Sequence, residues 1–182
     1  MSEFTQSVAR AAWLLRNRVQ QERIKSAVVC GAAKAADSSF VAACLARQLK
    51  QAFNMKPLLL RVHAGDSGSE FVPGIDALDV NSAEASKAGG VSAAVQTAIC
   101  QASTTNDFVL IDAPPVLAGV ESLQAIAVSQ HVVLTVEFGA TQEETVARAV
   151  KEIQEAGGVV LGTLLTRQRR IIPRWIDVLL GA

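Results

Sequence analysis

The feature that most constrains the fold is a set of short stretches that stay apolar along their whole length. They are Ser26-Ala-Val-Val-Cys30, Lys56-Pro-Leu-Leu-Leu60, Phe108-Val-Leu-Ile-Asp112, His131-Val-Val-Leu-Thr-Val136 and Val159-Val-Leu-Gly-Thr-Leu-Leu165. A strand with one face in water alternates polar and apolar residues, whereas a strand covered on both faces does not. Between these stretches lie segments with helical spacing. Val8, Ala11, Ala12, Leu15 and Val19 mark a helix over residues 5–21, and Val41, Leu45 and Leu49 mark another over 38–53. Further helices are predicted over 91–103, 119–128, 142–156 and 173–180, the last with Pro173 in its first turn. Residues 31–37 and 63–76 read as loops. Buried strands alternating with helices give an α/β fold with a mostly parallel central sheet and helices on both faces. Its ligand crevice belongs at the carboxyl ends of the strands.

A chain of 182 residues suits one domain, and 50% hydrophobic with 19% charged residues excludes disorder. No apolar run approaches the ~20 residues of a membrane span, and the first residues do not read as a signal peptide. Cys30, Cys44 and Cys100 have neither disulfide-framework nor metal-knuckle spacing, and Cys30 and Cys44 read as inert core thiols. The expected location is therefore cytoplasmic. The net charge is zero, but residues 1–25 hold five basic side chains against Glu3 and Glu22. Residues 161–182 hold Arg167, Arg169, Arg170 and Arg174 against Asp177. Solvated ends explain this plainly; an acidic neighbour or an anionic membrane surface explains it more sharply. Aromatic residues are only 4% and do not interleave with the basic ones, which argues against nucleic acid.

Three stretches resemble one family. Val28-Val-Cys-Gly-Ala-Ala-Lys-Ala-Ala-Asp-Ser-Ser-Phe-Val-Ala-Ala-Cys-Leu-Ala46 resembles the phosphate-binding loop and following helix of MinD-like P-loop ATPases. Phe108-Val-Leu-Ile-Asp-Ala-Pro-Pro-Val-Leu117 resembles the Walker B strand of the bacterial tyrosine kinases within that superfamily. Val159-Val-Leu-Gly-Thr-Leu-Leu-Thr-Arg167 resembles their last sheet strand, which usually ends in Asn-Arg near the base. The resemblance implies a P-loop NTPase fold over 1–182: an N-terminal helix (1–23), an α/β core (24–167) and a basic-apolar tail (168–182).

The departures from the family pattern define the candidate site. Where the family loop ends Gly-Lys-Thr, this chain has Asp37, Ser38 and Ser39, so only a hydroxyl survives. Where the second strand carries Asp-x-Asp, this chain has Arg61 and His63. Asn-Arg has become Thr166-Arg167, and the kinases' tyrosine cluster has no counterpart because the chain has no tyrosine. The degenerate nucleotide site therefore comprises Gly31, Lys34, Asp37, Ser38, Ser39, Arg61, His63, Asp112 and Arg167, with no catalytic residue and no metal ligand set. Asp37 is expected to cap the helix after the loop with its own carboxylate, where a phosphate would bind. Asp112 is expected to bond to Ser38 or Ser39. Arg61 faces any Mg²⁺ as a like charge, although Arg61 or Lys34 also offers a replacement for the lost lysine or the metal.

The departures imply a loss of catalysis and the resemblance supplies the pathway: a catalytically inactive scaffold or regulator of exopolysaccharide synthesis and export, with an active ATPase using unusual residues left as an alternative. Its partner is expected to be a membrane chain-length determinant (a polysaccharide co-polymerase) or a homologous kinase, with homo-oligomers also open. Peripheral placement at the inner membrane face fits the basic ends. Arg10, Arg16, Arg18, Arg167, Arg169 and Trp175 are the expected partner contacts. No cofactor and no Mg²⁺ are expected, with room left for weak ATP or ADP binding. The alternatives are a nucleotide-binding switch, with or without metal, and a MinD- or ParA-like positioning protein.

Overall fold

The computed structural model describes residues 3–33, 37–63, 72–87 and 89–166. Among them, six parallel strands form one sheet: β1 (Ser26–Gly31), β2 (Pro57–His63), β3 (Asp76–Asn81), β4 (Phe108–Asp112), β5 (His131–Glu137) and β6 (Val159–Thr166). Their order is β3-β2-β4-β1-β5-β6. Helices α1 (Glu3–Glu22) and α2 (Ser38–Phe53) cover one face. Helices α3 (Ser82–Lys87), α4 (Val91–Ala102), α5 (Glu121–Ser129) and α6 (Glu143–Glu155) cover the other. The expected architecture stands, and the sheet is parallel throughout.

Strand β1 shows why. All six of its residues are buried, and Ala27 to Cys30 alternate between two cores. Ala27 and Val29 join Leu59, Phe108, Leu110 and Val133 beneath α1 and α2. Val28 and Cys30 join Leu60, Ile111 and Leu134 beneath the other helices. Each large side chain fully buried this way contributes about 1.5–3 kcal/mol, so both faces of the strand are held. Helix α2 stops at Asn54, whose left-handed φ of 53° lets its N–H bond Lys50 O at 3.0 Å.

The sequence reading missed β3 and α3. Strand β3 is the edge of the sheet, with four of its six residues exposed, and it carries Asp76 and Asp79. It therefore lacks the apolar run that marks the inner strands. Helix α3 is a short piece begun by Asn81, whose Oδ1 accepts from Ala83 N–H at 2.9 Å and Glu84 N–H at 3.4 Å. The predicted helix over 173–180 lies outside the described residues. Among the described residues no helix is long and apolar enough to cross a membrane.

From β1 the chain crosses through α2 to β2 on one side; from β4 it crosses through α5 to β5 on the other. The switch point thus lies between the carboxyl ends of β1 and β4.

The junction between α6 and β6 leaves no room at Gly158. A Cβ there would lie 2.5 Å from Ile126 Cγ2, 2.9 Å from Ile153 Cγ2 and 3.0 Å from Ile153 O. Gly158→Ala should therefore lower stability by about 1–3 kcal/mol, read as a fall in urea midpoint at unchanged slope. An unshifted midpoint would show that this packing yields freely.

Candidate functional site

The backbone at the switch point is tied down on every side. Ala113 N–H donates to Val29 O (3.0 Å), Val116 N–H to Gly31 O (2.9 Å) and Ala32 N–H to Thr135 O (2.9 Å). Thr135 Oγ1 donates to Cys30 O at 3.3 Å. Pro114-Pro115 forms the expected fixed turn: Ala118 N–H bonds Pro115 O at 2.9 Å, and the Ser122 hydroxyl donates to Pro114 O.

Helix α2 starts beside this end, and here one expectation is corrected. Asp37 is the N-cap, and its carbonyl accepts Val41 N–H at 3.1 Å, but its side chain makes no capping hydrogen bond. Its ψ of 64° departs from the extended backbone that folds an N-cap side chain back over the first turn, and the residue is exposed. Asp37 therefore does not fold its own carboxylate over the first turn of α2 as a cap.

A row of charged side chains lies across the strands. Arg61 on β2 is the register partner of Asp79 on β3 and of Asp112 on β4. Arg61 has the parity of Leu59, and Asp112 that of Leu110, so this row faces the α1/α2 layer. Arg61 Nε lies 3.2 Å from Asp79 Oδ1, and His63 Nε2 lies 3.8 Å from the same oxygen. Asp112 is 7% exposed. Burial pushes its carboxyl up from 3.8 to about 6, while a hydrogen bond with the Ser39 side chain and the charge of Arg61 hold it down. Of the two partners expected from sequence, Ser38 and Ser39, it is Ser39 that bonds Asp112. Burial, and then the Asp112 charge, push the Cys30 thiol up to about 12, which keeps it unreactive as expected.

Gly31, Ser38, Ser39, Arg61, His63 and Asp112 thus gather at the carboxyl ends of β1, β2 and β4 and the start of α2. Lys34, Arg167, Arg169 and Trp175 lie outside the described residues. Arg10, Arg16 and Arg18 sit on α1, away from the row: Arg10 is exposed, Arg16 lies 5.9 Å over the Phe53 ring, and Arg18 pairs with Glu22. Asp79 was missed with its strand; the only signal was a carboxylate in Asp76-Ala-Leu-Asp-Val-Asn81, too polar to read as a sheet strand. Among the described residues no three His, Cys, Asp or Glu side chains are grouped to hold a metal.

No protein-family model and no curated protein sequence matches this chain. Solved structures do. The kinase domain of Escherichia coli tyrosine kinase ETK superposes with a TM-score of 0.69 at 15% identity, over 91% of this chain and 79% of that one. The VpsO kinase domain gives 0.68 at 16% identity, over 91% of this chain and 96% of that one. A plasmid partition protein from Borrelia burgdorferi gives 0.58 at 13% identity, over 87% of each. The chain therefore has the P-loop ATPase-like fold that bacterial tyrosine kinase domains and such partition proteins share.

The Asp112 environment has a measurable consequence. Because its folded pKa of about 6 lies above the ordinary 3.8, the folded chain holds the proton more tightly. Its contribution to stability is complete at low pH and is lost as pH rises through about 6, on the order of 3 kcal/mol in all. Asp112→Asn, uncharged at every pH, should gain on wild type as pH rises from about 4 to about 7. Urea unfolding across that range checks this. A constant difference between the two proteins would mean that the carboxyl titrates normally.

Proposed function

We propose that this chain is a non-catalytic domain on the P-loop ATPase fold, acting as a scaffold or regulator in exopolysaccharide synthesis and export. One observation carries the loss of chemistry: Arg61 stands in register between Asp79 and Asp112, its guanidinium 3.2 Å from Asp79. Phosphoryl transfer on this fold needs Mg²⁺ held by oxygen ligands and a cationic group on the phosphates. Here the cation answers carboxylates of the same sheet. A dication approaching Asp112 meets Arg61, and two unit like charges at 4 Å already repel by roughly 4 kcal/mol at an effective dielectric of 20. A triphosphate, in turn, meets Asp79 and Asp112.

The switch reading, in which Arg61 neutralises a nucleotide directly, requires Arg61 to leave Asp79. The pathway rests on the sequence resemblance, and the likeness of fold to tyrosine kinase domains supports it. A chain-length-determinant membrane protein or a homologous kinase is the partner class, with contacts expected from Arg10, Arg16 and Arg18 on α1. A location at the inner membrane face goes with that partner.

Calorimetry with ATP and ADP, with and without Mg²⁺, tests the reading. No heat at about 1 mM nucleotide is expected, together with no phosphate release above blank. Binding near about 1 µM that weakens in Arg61→Ala would establish the switch instead. Phosphate release abolished by Asp112→Ala would establish an enzyme.

A further inference from the structure

A cavity of about 320 Å³ lies between α1 and the β5–β6 edge of the sheet, on the opposite flank from the charge row. Ala11, Leu14 and Leu15 of α1 form one wall; Val133, Leu161 and Leu164 form the other. Two features of β6 open it. The β5–β6 register runs Val132↔Val160 and then Val133↔Gly162, so Leu161 is an extra residue, a bulge in the edge strand. The next residue is Gly162, and a Cβ built there meets no atom of the described residues within 4 Å. A side chain at 162 would fill the space; its absence leaves apolar walls facing water, with Leu14 still 49% exposed.

The rim carries charge of one sign. Arg10 and Arg18 lie two turns apart on the α1 stripe that lines the cavity. Arg18 is paired with Glu22. No ion pair is formed by Arg10 among the described residues. Ser7 also lines the cavity. An occupant must therefore be apolar in body and negative at one end. A second copy meeting this face with the same face would bring the same basic α1, so it does not complement this rim. The volume is at the lower end of the range of small-ligand pockets.

The geometry points to a binding site for a medium-chain amphipathic anion, its aliphatic body between α1 and the β6 bulge and its carboxylate or phosphate on Arg10. This site is separate from the degenerate crevice and does not depend on how that crevice treats nucleotides.

Calorimetry on the full chain with decanoate, decyl phosphate and decanol, each below its micellar or solubility limit, tests the assignment. Saturable one-to-one binding of the anions is expected, with decanol about five- to tenfold weaker. The better anion identifies the head group as carboxylate or phosphate. Arg10→Ala, an exposed change, should bring the anions down to decanol's affinity. Gly162→Leu should abolish binding of all three, with an unchanged circular dichroism spectrum and melting temperature no lower than wild type. The assignment is overturned by the absence of saturable binding, or by binding that survives Gly162→Leu in the folded variant. A change in oligomeric state on Gly162→Leu without amphiphile binding would overturn it too, making the groove an interface between copies.

Discussion

Burial of β1 on both faces is the constraint from which the rest of the crevice follows. Four of its six residues, Ala27 to Cys30, are divided between two cores, and a slip of one residue would exchange Val29 for Val28 and Cys30 for Gly31 across the sheet. The register with β4 and β5 is therefore held by apolar packing well below the site. Asp112 then stands beside Val29, Arg61 beside Asp112, and Asp79 beside Arg61. Hydrophobic burial at the middle of the strands decides which charges meet at their ends.

Three side chains in a row, carboxylate–guanidinium–carboxylate, are not a strong source of stability. Asp79 is 40% exposed, and exposed ion pairs contribute about 0–1 kcal/mol. Asp112 is costly to ionise where it is, and so its carboxyl sits near about 6. What the row changes is chemistry. Removing one member strands another charge, and admitting a metal or a triphosphate displaces a contact already made. With Asp37 exposed and not capping α2, the proposed barrier to nucleotide rests on the sheet and not on the loop. The sequence reading rested that barrier on a side-chain cap that Asp37 does not make.

The fold was legible because its signal is redundant. Each inner strand is apolar throughout, and each helix carries its own periodic stripe. The site was legible in part. Asp112, Arg61 and Ser39 were found because a family pattern marks those positions, and a bond from Asp112 to one of the two serines, Ser38 or Ser39, followed from their chemistry. Asp79 was invisible because an edge strand with four exposed residues has no burial to record. The side-chain direction of Asp37 was invisible for a different reason. Capping depends on φ and ψ at one residue, and an Asp before a helix is compatible with more than one pair of angles.

Strand β6 shows where the rule that apolar means doubly covered breaks down. Val159-Val-Leu-Gly-Thr-Leu-Leu165 reads as an inner strand, yet it is the sheet's other edge, with Val159 60% and Leu165 41% exposed. The two edges solve the same problem in opposite ways. Edge β3 carries carboxylates toward water, the usual means of blunting an exposed edge. Edge β6 keeps apolar side chains there and, through Leu161 and Gly162, holds a gap open beneath α1. Apolar surface left in water costs about 25 cal/mol per Å², and a side chain at position 162 would remove part of that cost with no atom of the described residues in its way. The composition of β6 is thus consistent with a surface meant to be covered, and the arginines beside it set the sign of what covers it.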